Sequence, residues 1–430
     1  MPLWPHQEEA RSVVEATLPL LPRRSMVLQA CTGAGKTAIA DALRPDVVIA
    51  PGIDLVRQLQ GRISGARVYT IQALSRSIDR GEELPTAKRI VVDEGRCAAA
   101  PKWSRVLDVY LLRGAEIIIL DATPATSNGR GLGQWADAIH QVSSMSALAS
   151  GGYIVPYRVM ASDGVVERPV DVWLRRTNGR RALLFCRNKA HAERSSAEFN
   201  AAGIPSAVIS DSTPEARRRE LLGYVDDSGT WRPGLLATGH LWVLVCAQIL
   251  RQGIDIREVE AILLDRLCGS YQLFQQAIGR GGRQCESIGK GDCYVVDMRG
   301  SLTDMHGLPA DPVKWGLGDP AILDVGDLAP PTVCPANGCG VYGRGDTCEA
   351  CGGPLPEPNS PAAKRANVFR FVRQALRTKR HPWDVRFRYR ALYGSSPPVA
   401  WILEAVNAYK MAHVTQGELP APIRPKGAAT

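Results

Sequence analysis

The chain has 430 residues, 45% hydrophobic and 22% charged, which is long enough for two or three domains with buried cores and ordinary for a globular protein. Its apolar runs, such as 241–247 and 117–120, are too short to span a bilayer, and the start Met1-Pro2-Leu3-Trp4 lacks a basic segment followed by an apolar stretch. No membrane partner and a cytoplasmic location are therefore expected, and eleven cysteines, an odd number, argue against a disulfide framework. The net charge is +9, and residues 361–430 alone hold thirteen Lys or Arg against three Asp or Glu, so the rest of the chain is near neutral. A basic segment on a neutral body suggests a polyanionic partner. Charge by itself equally allows a solvated tail.

In chain order, short β-rich apolar runs are predicted as strands at 26–30, 47–50, 90–93 and 117–121, with helical stretches between them. A second series follows at 182–186, 206–209, 243–246, 261–264 and 293–297. Strands alternating with helices predict parallel sheets with helical crossovers, and two series predict two α/β domains. The turn-rich Ser150-Gly151-Gly152-Tyr153-Ile154-Val155-Pro156 is the expected boundary. Beyond Asp297 the alternation fades. Gly and Pro accumulate over 307–361, interrupted by a cysteine cluster, and a basic, aromatic segment with helical character closes the chain.

Three places carry chemistry. The first strand runs into Cys31-Thr32-Gly33-Ala34-Gly35-Lys36-Thr37 and then a helix. Gly33 and Gly35 let the backbone curl so that its N–H groups converge on phosphate oxygens at a helix N-terminus; Lys36 neutralises the β- and γ-phosphates, and the Thr37 hydroxyl suits Mg²⁺. About sixty residues on, a buried strand ends in Asp93-Glu94, where one acid can hold Mg²⁺ and the other can orient and deprotonate an attacking water. Lastly, Cys334 and Cys339 are followed, after eight intervening residues, by Cys348 and Cys351. Two Cys pairs on tight turns fit tetrahedral ligation of Zn²⁺ by four thiolates, as a structural staple with no open position for catalysis. Cys186 and Cys246 read as core residues. The closing segment interleaves bases and aromatics: Arg370-Phe371, Arg373, Arg377, Lys379-Arg380, Trp383, then Arg386-Phe387-Arg388-Tyr389-Arg390. Its arginines suit nucleic-acid phosphates, and most of its aromatics suit a small core.

In this order the segments resemble superfamily 2 helicases of the DEAD/DEAH type, over most of residues 1–300. Leu3-Trp4-Pro5-His6-Gln7 resembles the family's adenine-recognition element, Ala30–Thr37 its motif I, Val48–Gly52 with Leu55 and Gln58 motif Ia, and Tyr69-Thr70-Ile71-Gln72 motif Ib. Asp93-Glu94-Gly95-Arg96 stands where Asp-Glu-Ala-His is expected. The acids match, Gly95 and Arg96 depart, and with them the family's histidine link to the second domain. Asp121-Ala122-Thr123 is similar to motif III (Ser/Thr-Ala-Thr) but departs at its first place. Leu183–Asn188 resembles motif IV, Val243–Cys246 with Leu250–Asp255 motif V, and Gln276-Ala277-Ile278-Gly279-Arg280-Gly281-Gly282-Arg283 matches Gln-x-x-Gly-Arg-x-x-Arg of motif VI in full.

The resemblance implies an α/β fold of two tandem RecA-like P-loop domains with parallel sheets, then a small zinc ribbon and a basic, mainly helical C-terminal segment. The expected bounds are 1–152, 153–310, 330–356 and 361–430. It implies an ATP-dependent helicase or translocase with Lys36, Asp93, Glu94, Gln276, Arg280 and Arg283 as catalytic groups. ATP contacts fall on Gln7, Thr32, Gly33, Ala34, Gly35, Lys36, Thr37, Gly253 and Asp255, and Mg²⁺ on Thr37 and Asp93. The expected partner is nucleic acid, DNA rather than RNA, with replication, repair or restriction proteins as further candidates. The compact layout is similar to short helicases of bacteriophages and prophages, implying a bacterial or phage-infected cell. Two other readings stay open: the motor subunit of a restriction or repair complex that translocates on duplex DNA without unwinding it, and a non-catalytic zinc-dependent DNA-binding protein with a degenerate motor.

Overall fold

The computed structural model describes residues 2–98, 100–126, 129–161, 168–226, 230–247, 256–266, 268–299, 306–318, 322–324, 331–336, 339–358, 360–377, 385–386, 389 and 396–414. The first sheet contains β1 (Ser25–Ala30), β2 (Val47–Ala50), β3 (Arg67–Thr70), β4 (Arg89–Asp93), β5 (Glu116–Asp121) and β6 (Ala138–Ser143), in the order β3-β2-β4-β5-β1-β6. All its pairings are parallel. Around it lie α1 (Pro5–Thr17), α2 (Lys36–Ala42), α3 (Ile53–Leu59), α4 (Ile71–Asp79), α5 (Pro101–Leu112) and α6 (Met145–Ser150). Alternate residues of each central strand face opposite layers. Met26, Leu28, Val48 and Leu120 join one apolar cluster, while Val27, Val47, Ile49, Ile117 and Ile119 pack with Leu74, Trp103 and Tyr110 of α4 and α5. Burial on both faces is why these strands read as continuous apolar runs.

The second sheet contains β7 (Tyr157–Ala161), β8 (Ala182–Cys186), β9 (Ser206–Ile209), β12 (Val243–Cys246), β13 (Ala261–Asp265) and β14 (Cys293–Asp297), in the order β7-β14-β13-β8-β12-β9, again all parallel. An antiparallel hairpin, β10 (Gly223–Val225) and β11 (Trp231–Pro233), is inserted before β12. The accompanying helices are α7 (Pro169–Arg176), α8 (Lys189–Ala201), α9 (Glu215–Leu222) and α10 (Tyr271–Ile278). One apolar cluster continues from the first sheet through Ile154 and Val155 to Leu183, Leu244 and Phe274 of the second, so the two α/β units share a packed contact.

Sequence patterning missed β3, β6 and β7. All three are edge strands, and β3 and β6 leave most of their residues at least partly open to solvent, so they lack the apolar run on which the reading relied. Patterning also gave no sign of the segment after the second sheet. Residues 306–318 run back across the molecule, with His306 stacked on Phe274 (5.3 Å) and Trp315 against Tyr271 (5.8 Å) of α10. On the first unit, Gly131 N–H donates to the Gly318 carbonyl (3.1 Å), Gly133 N–H to the Leu317 carbonyl (2.9 Å) and Gln141 Nε2 to the Val313 carbonyl (2.9 Å). A Cβ at Gly131 would stand 2.1 Å from the Leu317 oxygen, so this contact requires glycine there.

The cysteine module is anchored in the second unit. Cys334, Cys348, Val341 and Leu355 belong to the same core as Trp173 and Phe199, and Val341 bridges to Met160 of edge strand β7. Two C-terminal helices, α11 (Pro361–Arg377) and α12 (Val399–Val414), enclose a separate small core of Val368, Phe371, Val372, Tyr389, Ile402 and Ala405. Phe371 and Tyr389 are thus core aromatics; Lys379, Arg380, Trp383, Phe387, Arg388 and Arg390 lie outside the described residues. Among the described residues no helix is long and apolar enough to cross a membrane.

Candidate nucleotide site between the two domains

Because each sheet is parallel, its functional loops gather at the C-terminal ends of the strands. The phosphate loop leaves β1 with Gly33 at φ +97° and Gly35 at φ +80°, left-handed values that glycine adopts freely. The crowding is equally specific. A Cβ on Gly33 would come 2.3 Å from Ile154 Cγ2, and one on Gly35 would come 2.2 Å from Gln7 Nε2. No side chain caps the start of α2, which leaves its first N–H groups to the loop. Lys36 Nζ donates to the Ala30 carbonyl at 3.4 Å. Thr32 and Thr37 are half-buried and Ala34 is buried.

Gln7 is buried, and it reaches the loop: its Nε2 donates to the Ala34 carbonyl at 3.0 Å while its Oε1 accepts from Trp4 N–H at 3.0 Å. His6 also meets the Ala34 carbonyl (3.0 Å), and the Trp4 ring lies 4.7 Å from that of Tyr153. Trp4, His6 and Tyr153 form an aromatic wall beside the loop. Tyr153 carried no motif and was missed by sequence reasoning.

Asp93 ends β4. Burial, then the charge of Glu94, pushes its carboxyl up to about 7, and Lys36 pulls the other way. A cation placed there favours the ionised form, so the acid suits a metal ligand set. Glu94 adopts φ 61°, ψ 51°, a left-handed conformation costly for a residue with a Cβ. Its carboxylate pairs with the Arg96 guanidinium. Arg96 Nη1 also lies 3.2 Å from Asp121 Oδ1, and Arg96 N–H donates to Asp121 Oδ2 at 2.6 Å. Burial works against charge on Arg96, but Asp121 and Glu94 outweigh it and hold the guanidinium above its ordinary value.

The second unit closes the site from the other side. Gln276 on α10, with its amide oxygen turned to the guanidinium, accepts from Arg96 Nε and Nη2 at 3.2 Å each. The link between the Asp93-Glu94-Gly95-Arg96 turn and the second unit, which the missing histidine left without a donor, is therefore made by Arg96. Gly279 sits so near the phosphate loop that a Cβ there would be 2.7 Å from Thr32 Oγ1. Gln272 Nε2 donates to the Thr126 carbonyl at 3.2 Å. Motif VI itself is pinned within its own unit, where Gly282 O accepts from Val155 N–H (2.8 Å) and Gly281 O from buried Lys290 Nζ (2.6 Å). Burial pushes the Cys246 thiol and the Tyr157 phenol up, and the charges of Arg280 and Arg283 respectively pull the other way. Motifs Ia and Ib meet where Gln72 Nε2 donates to the Pro51 carbonyl at 3.1 Å. Gly253 and Asp255 lie outside the described residues.

The four Sγ atoms of Cys334, Cys339, Cys348 and Cys351 lie within 4.8 Å of one another, with Cys334–Cys351 at 3.5 Å and Cys339–Cys348 at 3.8 Å. Thiolates about 2.3 Å from a tetrahedral Zn²⁺ are separated by about 3.8 Å, so the donor set fits such an ion.

Residues 165–285 match the family model of the helicase conserved C-terminal domain. The second unit therefore carries a match to that domain, and the two six-stranded parallel sheets agree with the resemblance of the motifs to superfamily 2 helicases. A fragment assigned to the HsdR subunit of a type I restriction enzyme from Vibrio vulnificus has a similar fold, with TM-score 0.53 and 18% identity over 71% of this chain and 65% of that one. The ATP-dependent Type ISP restriction-modification enzyme LlaBIII, solved bound to DNA, has TM-score 0.51 and 16% identity over 69% of this chain and 27% of that one. The chain thus spans less than two thirds of either. No curated protein matches it in sequence.

Proposed function

We propose that the chain is a nucleic-acid-dependent ATPase that couples Mg²⁺-ATP hydrolysis in this cleft to movement along DNA, as a helicase. The observation that carries the reading is the meeting of motifs from both units: Gly279 of motif VI against Thr32 of the phosphate loop, and Gln276 on Arg96 beside Glu94. When bound, Mg²⁺-ATP supplies an activated γ-phosphoryl group whose transfer to water releases energy.

The chain's own residues do the rest. The loop N–H groups from Thr32 to Gly35, with Lys36, hold the phosphates, and Thr37 and Asp93 hold the metal. Glu94 orients the attacking water and takes its proton. Arg280 and Arg283 enter from the second unit as charge donors to the transferring group, and Gly253 and Asp255 contribute to the nucleotide side of the same unit. Closure around ATP and opening after hydrolysis alter the spacing of two strand-binding surfaces, which is movement along a strand. The cysteine cluster holds Zn²⁺ as a structural ion.

A second reading, translocation on duplex without strand separation, is favoured by the two fold relatives described above coming from restriction enzymes, one of them bound to DNA. ATPase and strand-displacement assays on single-stranded, duplex, forked and RNA substrates, with triplex displacement alongside, test both. ATPase stimulated by duplex with triplex but no fork displacement selects the second. No stimulation by any nucleic acid overturns both.

A further inference from the structure

Two of the three departures from the motif pattern, Arg96 and Asp121, are in contact, and with the third, Gly95, they explain a further oddity, the left-handed Glu94. Asp121 closes β5 fully buried, its oxygens taken by the Arg96 N–H, the Arg96 guanidinium and the Thr123 N–H (2.8 Å). A buried carboxylate without a cation is strongly destabilising, so Asp121 and Arg96 require each other. The turn between them has to lie flat on β5. A Cβ at Gly95 would stand 2.0 Å from Ile119 Cγ2, so glycine there permits the approach, and the tight turn leaves Glu94 at φ 61°. The guanidinium then divides its donors. Nη1 serves the two carboxylates of the first unit, while Nε and Nη2 face Gln276 of the second.

We infer that Arg96 is a positioning residue that orients the Glu94 carboxylate and registers the position of the second domain through Gln276. This rests on the ATPase reading above and adds the element that tells the water-activating acid whether the cleft is closed. A guanidinium has five donors in a rigid fork, so it meets two carboxylates on one edge and a carbonyl on the other at once. Movement of α10 removes the two contacts to Gln276. The guanidinium, still held by Asp121, then pivots about that contact, and Glu94 turns with it. Asp121 is the fixed post that keeps the guanidinium in place through the motion.

The experiment is steady-state ATPase kinetics, with and without saturating single-stranded DNA, on the full chain and on Arg96→Lys, Gln276→Ala, their combination, and Arg96→Gln with Asp121→Asn. Lysine keeps the charge on Asp121 but not the fork. Arg96→Lys is expected to lower DNA-stimulated kcat by about 10²-fold, with KM for ATP changed little, because the loss is one of alignment and not of ATP contacts. Gln276→Ala should lower the ratio of stimulated to basal rate, and the combination should be no worse than Arg96→Lys alone to within about threefold, since both remove one linkage. The neutral double variant, Arg96→Gln with Asp121→Asn, removes both buried charges together, so it keeps the test open if single variants misfold, and it too should lose stimulation with KM retained. An active wild-type chain whose Arg96→Lys and Gln276→Ala losses multiply independently overturns this inference alone. Unchanged kcat in Arg96→Lys does the same. A wild-type chain with no ATPase activity overturns it together with the reading on which it rests.

Discussion

The two units each run a buried strand into a helix, and the junctions are built in opposite ways. After β1, glycines at 33 and 35 hold the backbone open, and α2 starts with no side-chain cap. After β8, Asn188 folds its own side chain over the start of α8, accepting from His191 N–H at 2.9 Å. An uncapped helix start leaves donors and a partial positive charge for an outside anion, whereas a capped one has spent them internally. On the function proposed above, one unit binds phosphate, and the other brings side chains to that site by packing. Its contributions, Gln276, Arg280 and Arg283, come from α10 and the turn after it, fixed by Lys290 and Val155.

The comparison is broken most severely from the phosphate-loop side. Lys36→Ala is expected to abolish ATP turnover, and Glu94→Gln to stop hydrolysis while ATP still binds, because only the group that takes the proton is removed. Calorimetric ATP titration and steady-state ATPase on the same preparations separate the two outcomes; hydrolysis by Glu94→Gln at the wild-type rate would remove Glu94 from its role. From the opposite side, Arg283→Ala should lower kcat by about 10³-fold if its charge reaches the transition state. An unchanged kcat there would mean that the second unit contributes packing alone.

The metal module tests whether that packing depends on Zn²⁺. One Zn²⁺ per chain is expected by elemental analysis. Cys348→Ser should loosen the ion and lower the melting temperature of the second unit as well as of the module, because Cys334 and Cys348 sit in a core shared with Trp173 and Phe199. Metal-free protein with an unchanged melting curve would contradict both claims. A smaller effect is expected from ending the chain at Ser360. Residues 361–430 carry thirteen basic against three acidic side chains, and α11 and α12 close a core of their own. Removal should therefore spare ATP hydrolysis and weaken DNA binding. The log–log salt slope should fall by roughly 0.7 for each phosphate that the segment engages on a single strand, or by roughly 0.9 on duplex. Equal slopes for the two proteins would make the segment a packing element.

Most of this was legible in the sequence wherever a residue's role is local. β2, β8, β9, β12 and β14 fall where their apolar runs stand, and the glycines of the phosphate loop and the four cysteines announce themselves by spacing. What was not legible depends on contacts across long separations. Arg96 and Asp121 each read as an isolated departure; their opposite charges were the available signal that they belong together, but only the neighbouring position of β4 and β5 makes them a pair. The returning segment at 306–318 had no signal at all. It docks through backbone carbonyls onto glycines 131 and 133, and neither carbonyls nor glycine pairs leave a recognisable pattern. The anchoring of the cysteine module on β7 was hidden for a related reason, since β7 is an edge strand with Tyr157 and Arg158 where an apolar run was sought.

The mildest substitution sharpens the comparison of the two junctions. Asn188→Ala removes the cap of α8 without touching the cleft. Replacing an N-cap asparagine by alanine costs about 1 kcal/mol, because one helix N–H is left without its acceptor. Urea unfolding should therefore show a lower midpoint with an unchanged slope, as befits a change in stability and not in compactness. ATP affinity and kcat should stay at wild-type values, because the donors uncovered on α8 have no glycine loop to organise them around a phosphate. Gly35→Ala makes the opposite trade. Its methyl would meet Gln7 Nε2 at 2.2 Å on a backbone at φ +80°, so ATP binding should disappear. If uncapping α8 instead created a second ATP site, visible as a stoichiometry above one in the same titration, then the cap and not the loop would be what distinguishes the two units. If it left stability unchanged, Asn188 would owe its conformation to the neighbouring strand end, and the self-contained junction ascribed to the second unit would have to be abandoned.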